Sequence, residues 1–488
     1  MAGGRPSAVL LICFAAALRY HALFANTFHA DEALFATWAR LIAVWRDPLL
    51  LTQAVDKPPL LFYAQALFYP LFGPVEWAAR MPSLVASLLL IPLTAQLAWR
   101  LSGDRRAGLI AALVVALAPL AVQFSATAFS DPLLTFWLMM TLVLLLGRPA
   151  RPALAGLSFG LALATKYQAA LFLPLVIGLG WLRGWGGREW LRALTGAAIV
   201  LAQVALWLAA RGGGVAVLAG QWANVGGVRP ARSWELLPRL AAQARLWRVG
   251  LGAPLLALGG VVLAGVALGP RSRARVAPPE AFVALFVLGW FLLHWLWSVP
   301  AWDRYLLPVL PLVAALLGRG LSLLWVAAKA QDRLARTAAG LGFALVAGLC
   351  LPVAADARAG RYPIGGQPAA DGGAAAVAAA LADAPYGTVL YDHWYSWDWR
   401  YQLFDRRVYV SWFPHARVLL DDLAAFGGSG SARYIALPAG ETAAPVVRRL
   451  REAGYGLALV VRPPGGSIAL WRIRGLTTDD PDFTDFRK

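Results

Sequence analysis

Charge is scarce in this chain. Only 14% of its 488 residues are Asp, Glu, Lys or Arg, against about 25% in ordinary soluble domains. Together with a hydrophobic fraction of 59%, that excludes a soluble enzyme, a disordered regulator and a fibrous protein. Lysine is scarcer still: Lys57, Lys166, Lys329 and Lys488 are the whole supply, and nearly all the positive charge is arginine. The two cysteines, Cys13 and Cys350, lie far apart inside apolar runs, so neither a disulfide framework nor a cysteine metal site is available. The region after residue 354 has no G-x-G-x-x-G or Walker sequence, which leaves a nucleotide site there unsupported. The net charge of +18 does not point to nucleic acid, because the positives sit between apolar runs rather than on a basic face.

What is present is a series of apolar stretches of about 17–25 residues, the length that crosses roughly 30 Å of hydrocarbon. They fall near 7–26, 83–101, 107–123, 132–147, 153–165, 168–182, 193–210, 249–269, 281–299, 304–325 and 337–354. The pattern predicts a polytopic α-helical membrane protein with about eleven spans. With Arg5 inside, every second loop is basic: Arg105 and Arg106, Arg148 and Arg151, Arg183 with Arg188 and Arg192, Arg271 with Arg273 and Arg275, and Lys329 with Arg333 and Arg336. That is the positive-inside pattern. It places acids, tryptophans and isolated lysines on the outer face, and with eleven spans the region after 354 lies outside as well. No small-residue cleavage site follows the first run, so it reads as a retained span rather than a signal peptide.

Composition changes after residue 354. Short apolar runs at Thr388–Tyr391, Val408–Trp412, Tyr434–Leu437, Leu457–Val461 and Ile468–Ile473 alternate with helical patterns at 415–426 and 442–453. The alternation predicts a small soluble α/β domain over 355–488 beside a membrane domain over 1–354. The Gly/Ala-rich stretch 359–380 reads as a linker entering a helix. Two outer loops exceed mere connections. The first, 27–82, carries Trp38, Trp45, Trp77 and amphipathic patterns suited to helices on a membrane surface. The second, 211–248, carries Trp222, Trp234 and Trp247 among arginines, ordinary interfacial anchors.

Ionisable groups near a membrane core are costly, so those on the outer face are candidate functional residues. They are His29, Asp31, Glu32, Asp56, Lys57, Glu76, Arg80, Asp131, Lys166, Asp303 and Arg304. Adjacent Asp31 and Glu32 point to different sides of a helix. One reading has one acid facing a cavity while the other supports it; the other makes both a solvated helix N-terminus. Asp131-Pro132 reads, taken alone, as an N-cap followed by proline. Asp56-Lys57-Pro58-Pro59 holds a lysine on rigid backbone, suited to an anionic head group. Lys166 interrupts a helical hairpin with no local partner. For Asp392, His393, Trp394, Trp397, Asp398 and Trp399 a packed loop is favoured over a ring platform for a sugar, and His294 reads as a satisfied core histidine. Carboxylates with lysines on one face suit chemistry on a charged lipid; a transporter would carry a similar inventory, although no internal repeat is evident.

The motifs as an ordered set resemble a known family. His29-Ala30-Asp31-Glu32, Asp56-Lys57-Pro58-Pro59-Leu60, Leu71-Phe72-Gly73 with Glu76, Ala79-Arg80-Met81-Pro82-Ser83, Asp131-Pro132-Leu133-Leu134-Thr135-Phe136-Trp137, Gly160–Lys166 and Arg304-Tyr305-Leu306-Leu307-Pro308 together resemble the GT-C membrane glycosyltransferases that use polyprenyl-phosphate sugars. The likeness is to the protein O-mannosyltransferases and the lipid A aminoarabinose transferases (ArnT-like), over about 10–320. The resemblance implies an inverting transfer of sugar from a polyprenyl phosphate to a hydroxyl-bearing lipid, glycan or protein, in a bacterial inner membrane. Asp31 would be the general base, with Glu32 and Asp131 orienting it or the acceptor. Lys57, Lys166 and Arg304 would bind the carrier phosphate, and His29, Tyr63, Arg80 and Tyr305 would contact substrate. Asp56 falls where the aminoarabinose branch has an acidic metal ligand, implying a divalent ion. The second outer loop, however, has no histidine to complete that site. The rival function is a transporter or flippase of a lipid-linked sugar.

Overall fold

The computed structural model describes residues 5–212, 228–269, 276–329, 333–426 and 430–475. Trp222, Arg271, Arg273, Arg275 and residues 476–488 lie outside them, as do the side chains of Arg5, Lys329, Arg333 and Arg336. The chain divides into two units. One comprises Met1–Ala25 with Trp38–Pro368, the other Asn26–Thr37 with Ala369–Lys488.

The first unit is helical. Its elements are α1 (Arg5–Ala25), the later part of α2 (Ala30–Ala43), α3 (Leu60–Ala66), α4 (Tyr69–Phe72), α5 (Glu76–Ser102), α6 (Arg105–Leu117), α7 (Pro119–Phe124), α8 (Asp131–Leu145), α9 (Pro152–Thr165), α10 (Leu173–Leu182) and α11 (Gly187–Ala210). Then come α12 (Ser233–Leu251), α13 (Ala253–Leu268), α14 (Pro278–Leu296), α15 (Leu310–Lys329) and α16 (Arg333–Arg358). Two 3₁₀ turns, Tyr167–Phe172 and Asp303–Val309, interrupt the series. Many boundaries follow from local chemistry. Proline opens α7 and α9, where its missing N–H would be unpaired anyway. Gly103, at φ 71°, ends α5, and the Asp104 side chain caps α6 by accepting from Arg106 N–H.

Among the described residues five helices are long and apolar enough to cross a membrane, or seven if two bent pairs each count as one. Four more apolar helices are shorter, Asp131–Leu145 and Pro152–Thr165 among them. The difference from the eleven predicted runs has a visible source. The run 107–123 is not one helix: Ala118 is extended (ψ 123°) and Pro119 starts a new one. The run 168–182 begins as a 3₁₀ turn before becoming α10.

Small residues let α9 and α11 approach backbone to backbone. A Cβ on Gly156 would come within 1.7 Å of Ala193 O, and one on Gly196 within 2.0 Å of Ala153 O, the small-residue packing typical of helices in lipid. The interior also holds Arg19, fully buried. Its guanidinium donates to Ser87 Oγ (3.1 Å), Ala15 O (3.1 Å), Ala116 O (3.1 Å) and Val115 O (3.0 Å). Two of those carbonyls end α6, where the break before Pro119 leaves them without helical donors.

The second unit carries α17 (Ala374–Ala380), β1 (Thr388–Asp392), α18 (Ser396–Gln402), β2 (Val408–Trp412), α19 (Ala416–Phe426), β3 (Arg433–Pro438), α20 (Ala444–Glu452), β4 (Tyr455–Val461) and β5 (Ile468–Gly475). The sheet order is β2-β1-β3-β5-β4. β1 runs parallel to β2 (Thr388 opposite Val408) and to β3 (Val389 opposite Arg433), while β3–β5 and β4–β5 are antiparallel. β1 is buried along its whole length, as a central strand covered on both faces should be. Leu419, Leu423 and Leu450 cover one face over Tyr391 and Ile435; Val377, Trp399 and Leu403 cover the other over Leu390 and Leu470.

Candidate functional site

Several of the predicted charged residues of the first unit lie around a buried ion pair. Asp131 is the first residue of α8, with Ser130 at the cap position. The expected capping role therefore gives way: the Asp131 carboxylate, fully buried, is 2.6 Å from Lys166 Nζ. Lys166 reaches it because the chain turns extended there (φ −160°, ψ 131°) between α9 and the 3₁₀ turn, which frees the side chain from both helices. Its Nζ also lies 4.8 Å from the centre of the Tyr305 ring, a cation–π distance. Arg304, the preceding residue, stacks its guanidinium 4.9 Å over both Phe129 and Trp302.

Lys57 and Arg304 both act electrostatically on Lys166. Three cations drawn from the 56–59 loop, the α9 break and the 303–309 turn therefore share one region, with Asp131 as the buried counter-charge. Lys57 Nζ lies 2.5 Å from Asp56, and both side chains are about one-third exposed. Cations held on fixed backbone are suited to an anion, although Asp56, Asp131 and Asp303 stand beside these three.

The loop that presents Lys57 is itself tied down. Asp47 accepts from Leu51 N (2.7 Å), Thr52 N (2.8 Å) and Thr52 Oγ1 (2.6 Å). Burial alone would raise the Asp47 carboxyl, but the Thr52 and Leu51 hydrogen bonds and the Arg211 charge outweigh it and hold the group below the ordinary carboxylate range. Arg211 donates to Leu49 O (3.0 Å), Leu50 O and Gln53 O (2.8 Å). Tyr63 OH donates to Pro48 O (2.7 Å). Beside the loop lies an apolar cavity of about 320 Å³ bordered by Pro59, Leu60, Tyr63, Leu161 and Trp207. The turn before Asp131 is fixed too: Gln65 Nε2 donates to Ala128 O (3.2 Å) and Ser83 Oγ to Phe129 O (3.1 Å). These uncharged polar residues carry no pattern that marks them as buried.

Other predicted residues fall elsewhere. Arg80 is buried and spans Leu23 O (3.3 Å) and Glu76 (3.9 Å), tying the end of α1 to α5. His29, Asp31 and Glu32 belong to the second unit. There Glu32 is buried and reaches back to accept from His29 N (2.9 Å), while His29 Nδ1 accepts from Asp31 N (3.1 Å). Glu32 thus caps the start of α2, while Asp31 stays partly exposed.

In the sheet domain Asp392 accepts from Trp394 N (3.2 Å), Tyr395 N (3.0 Å) and Ser396 Oγ (2.8 Å). Trp399 is in the core, and it lies with Trp397 and Asp398 in α18 rather than in the expected loop. His294 Nδ1 lies 2.9 Å from Trp290 O, but buried Nε2 has no hydrogen-bond partner among the described residues; among them the core histidine expected from sequence is only half satisfied.

The divalent ion implied for Asp56 does not fit. Among the described residues no three His, Cys, Asp or Glu side chains converge as metal ligands, and the Asp56 carboxylate is engaged by Lys57.

Residues 56–209 match the family described as dolichyl-phosphate-mannose-protein mannosyltransferase. Undecaprenyl phosphate-alpha-4-amino-4-deoxy-L-arabinose arabinosyl transferases of Pseudomonas paraeruginosa and Pseudomonas aeruginosa are 30% identical over 323 residues. The match covers 60% of this chain and 55% of each relative, so the chain spans little more than half the length of the curated relatives it matches. The fold is shared with ArnT from Cupriavidus metallidurans bound to undecaprenyl phosphate (TM-score 0.64, 17% identity, 97% of this chain and 98% of that one). It is also shared with the oligosaccharyltransferase AglB of Archaeoglobus fulgidus (TM-score 0.56, 14% identity, 99% and 76%). The chain is thus similar over residues 56–209 to a family of membrane mannosyltransferases, and its fold is the one seen in ArnT.

Proposed function

We propose that this protein is an inverting glycosyltransferase that takes a sugar from a polyprenyl-phosphate carrier and passes it to a hydroxyl acceptor on the outer face of a bacterial inner membrane. The observation that carries the reading is the buried Asp131–Lys166 pair, with Lys166 over the Tyr305 ring beside Arg304 and within electrostatic reach of Lys57. A phosphate ester leaving as polyprenyl phosphate gains negative charge, and fixed cations in a partly dry site stabilise it better than water does. The apolar cavity bordered by Pro59, Tyr63 and Trp207 offers the adjoining isoprenoid an apolar wall. The arabinosyl transferases it resembles are named for undecaprenyl phosphate, which makes that lipid the first carrier to test.

In the proposed step the acceptor oxygen attacks the anomeric carbon as the bond to the phosphate oxygen breaks. The hydroxyl proton passes to the Asp31 carboxylate, and the electron pair leaves with the polyprenyl phosphate. The base role of Asp31 rests on the family resemblance. Glu32, which caps α2 beside it, holds its helix start, and Asp131 holds Lys166 in place. A single displacement inverts the anomeric centre and needs no covalent enzyme intermediate. In this reading 1–354 is the catalytic membrane domain and 355–488 an outer α/β domain.

The test is mass spectrometry of lipids that copurify with the wild type and with Lys57→Ala/Lys166→Ala. The proposal expects a polyprenyl phosphate, with or without sugar, in the first and its loss from the second. Absence of any isoprenoid from the wild type, or its retention by the folded double variant, removes the cation site and favours a flippase.

A further inference from the structure

The short strap Tyr362–Gly366 follows α16 and closes onto the first unit beside the Arg304 turn. Two side chains clamp it. Gln123, fully buried at the end of α7, donates through Nε2 to Ile364 O (2.7 Å), Gly365 O (2.8 Å) and Tyr362 O (3.2 Å). Asp303 divides its carboxylate between the strap and the turn: Oδ2 accepts from Gly365 N (2.9 Å) and Oδ1 from Arg304 N (2.7 Å). The strap lies too close to tolerate side chains at its end. A Cβ on Gly365 would come within 2.9 Å of the Phe124 ring, and one on Gly366 (φ +83°) within 2.8 Å of Thr127. Ile364 is buried.

A connecting segment has no general need for such a grip. Here the gripped residues lead directly to the candidate site, because the turn that Asp303 opens bears Arg304 and Tyr305, the ring under Lys166. The same short helix, α7, carries Gln123 and leads into the turn holding Phe129, over which Arg304 stacks. We infer that Gln123 and Asp303 are positioning residues. By clamping the 362–366 strap they fix where Arg304 is presented to the carrier phosphate. This rests on the proposed function. Neither residue touches the lipid; both act through the turn.

Undecaprenyl phosphate affinity of purified protein in lipid nanodiscs tests this in a double-mutant cycle. Gln123→Glu keeps the shape but sets an oxygen against three carbonyls. It should weaken binding about tenfold in the wild-type background and less than twofold where Arg304→Ala has already removed the group it positions. A merely structural role would lower affinity by the same factor in both backgrounds, and that outcome, or unchanged affinity in Gln123→Glu, overturns the inference. Asp303→Asn serves in the same cycle should Gln123→Glu fail to fold. Failure of the unaltered protein to bind undecaprenyl phosphate overturns the parent reading, and the positioning role with it.

Discussion

Asp131 and Lys166 share a single ion pair in an apolar bundle, and removing one partner leaves the other charge buried. Breaking such a pair typically costs about 3–5 kcal/mol, whereas replacing both partners with apolar or neutral groups costs much less. Asp131→Asn and Lys166→Met should each lower the thermal midpoint of the solubilised protein by several degrees, and the double variant should recover part of that loss. Strictly additive losses would show that the two charges are stabilised separately. Both residues stood out in the sequence as ionisable groups among apolar neighbours. Their pairing did not, because 35 positions separate them and only the extended break at Lys166 brings them together. Arg19 is the converse case. It lies inside the first predicted span and could have been flagged by the same rule, but its partners are carbonyls at a helix break that apolar patterning conceals. Gln65, Ser83 and Gln123 carry no sequence signal, since burial of an uncharged polar side chain is set by the fold.

At the scale of elements, backbone proximity decides more than hydrophobicity does. The glycines at 156 and 196 permit the α9–α11 contact, and a larger side chain there must push two helices apart. Gly156→Leu should strongly reduce thermal stability, while Gly187→Ala, with no atom within 4 Å of the added Cβ, should leave it nearly unchanged. Equal melting of Gly156→Leu and wild type would contradict the close packing. The same scale explains which helices were legible. The runs that became α5, α11, α14, α15 and α16 are long and apolar, and length alone identifies them. The runs 107–123 and 168–182 are not single helices, because the extended Ala118 before Pro119 and the 3₁₀ turn Tyr167–Phe172 act on hydrogen bonds rather than on hydropathy. The strands after residue 387 were legible for a different reason. Short β-rich runs separated by helical patterns admit few arrangements, although the antiparallel return of β5 between β3 and β4 depends on long-range pairing.

At the scale of the whole molecule, the cation cluster lies in the helical unit, and the proposed base Asp31 lies in the segment Asn26–Thr37 of the other unit. The ordered motifs identified this set of residues, and the fold assembles Lys57, Lys166, Arg304 and Asp131 within one unit. The divalent ligand set is the part of the resemblance that the described residues do not supply. The central claim is transfer with Asp31 as general base, and the direct measurement is release of polyprenyl phosphate in proteoliposomes. The substrates are the pooled polyprenyl-phosphate sugars of the source membranes and a membrane extract as acceptor. Because a positioned base contributes about 10²–10⁴-fold, wild type should release the carrier only when acceptor is present, and Asp31→Asn should do so at least about 100-fold more slowly while still binding the carrier. Release by Asp31→Asn at the wild-type rate would remove the base, and passage of the intact sugar-lipid across the bilayer without release would contradict transfer itself.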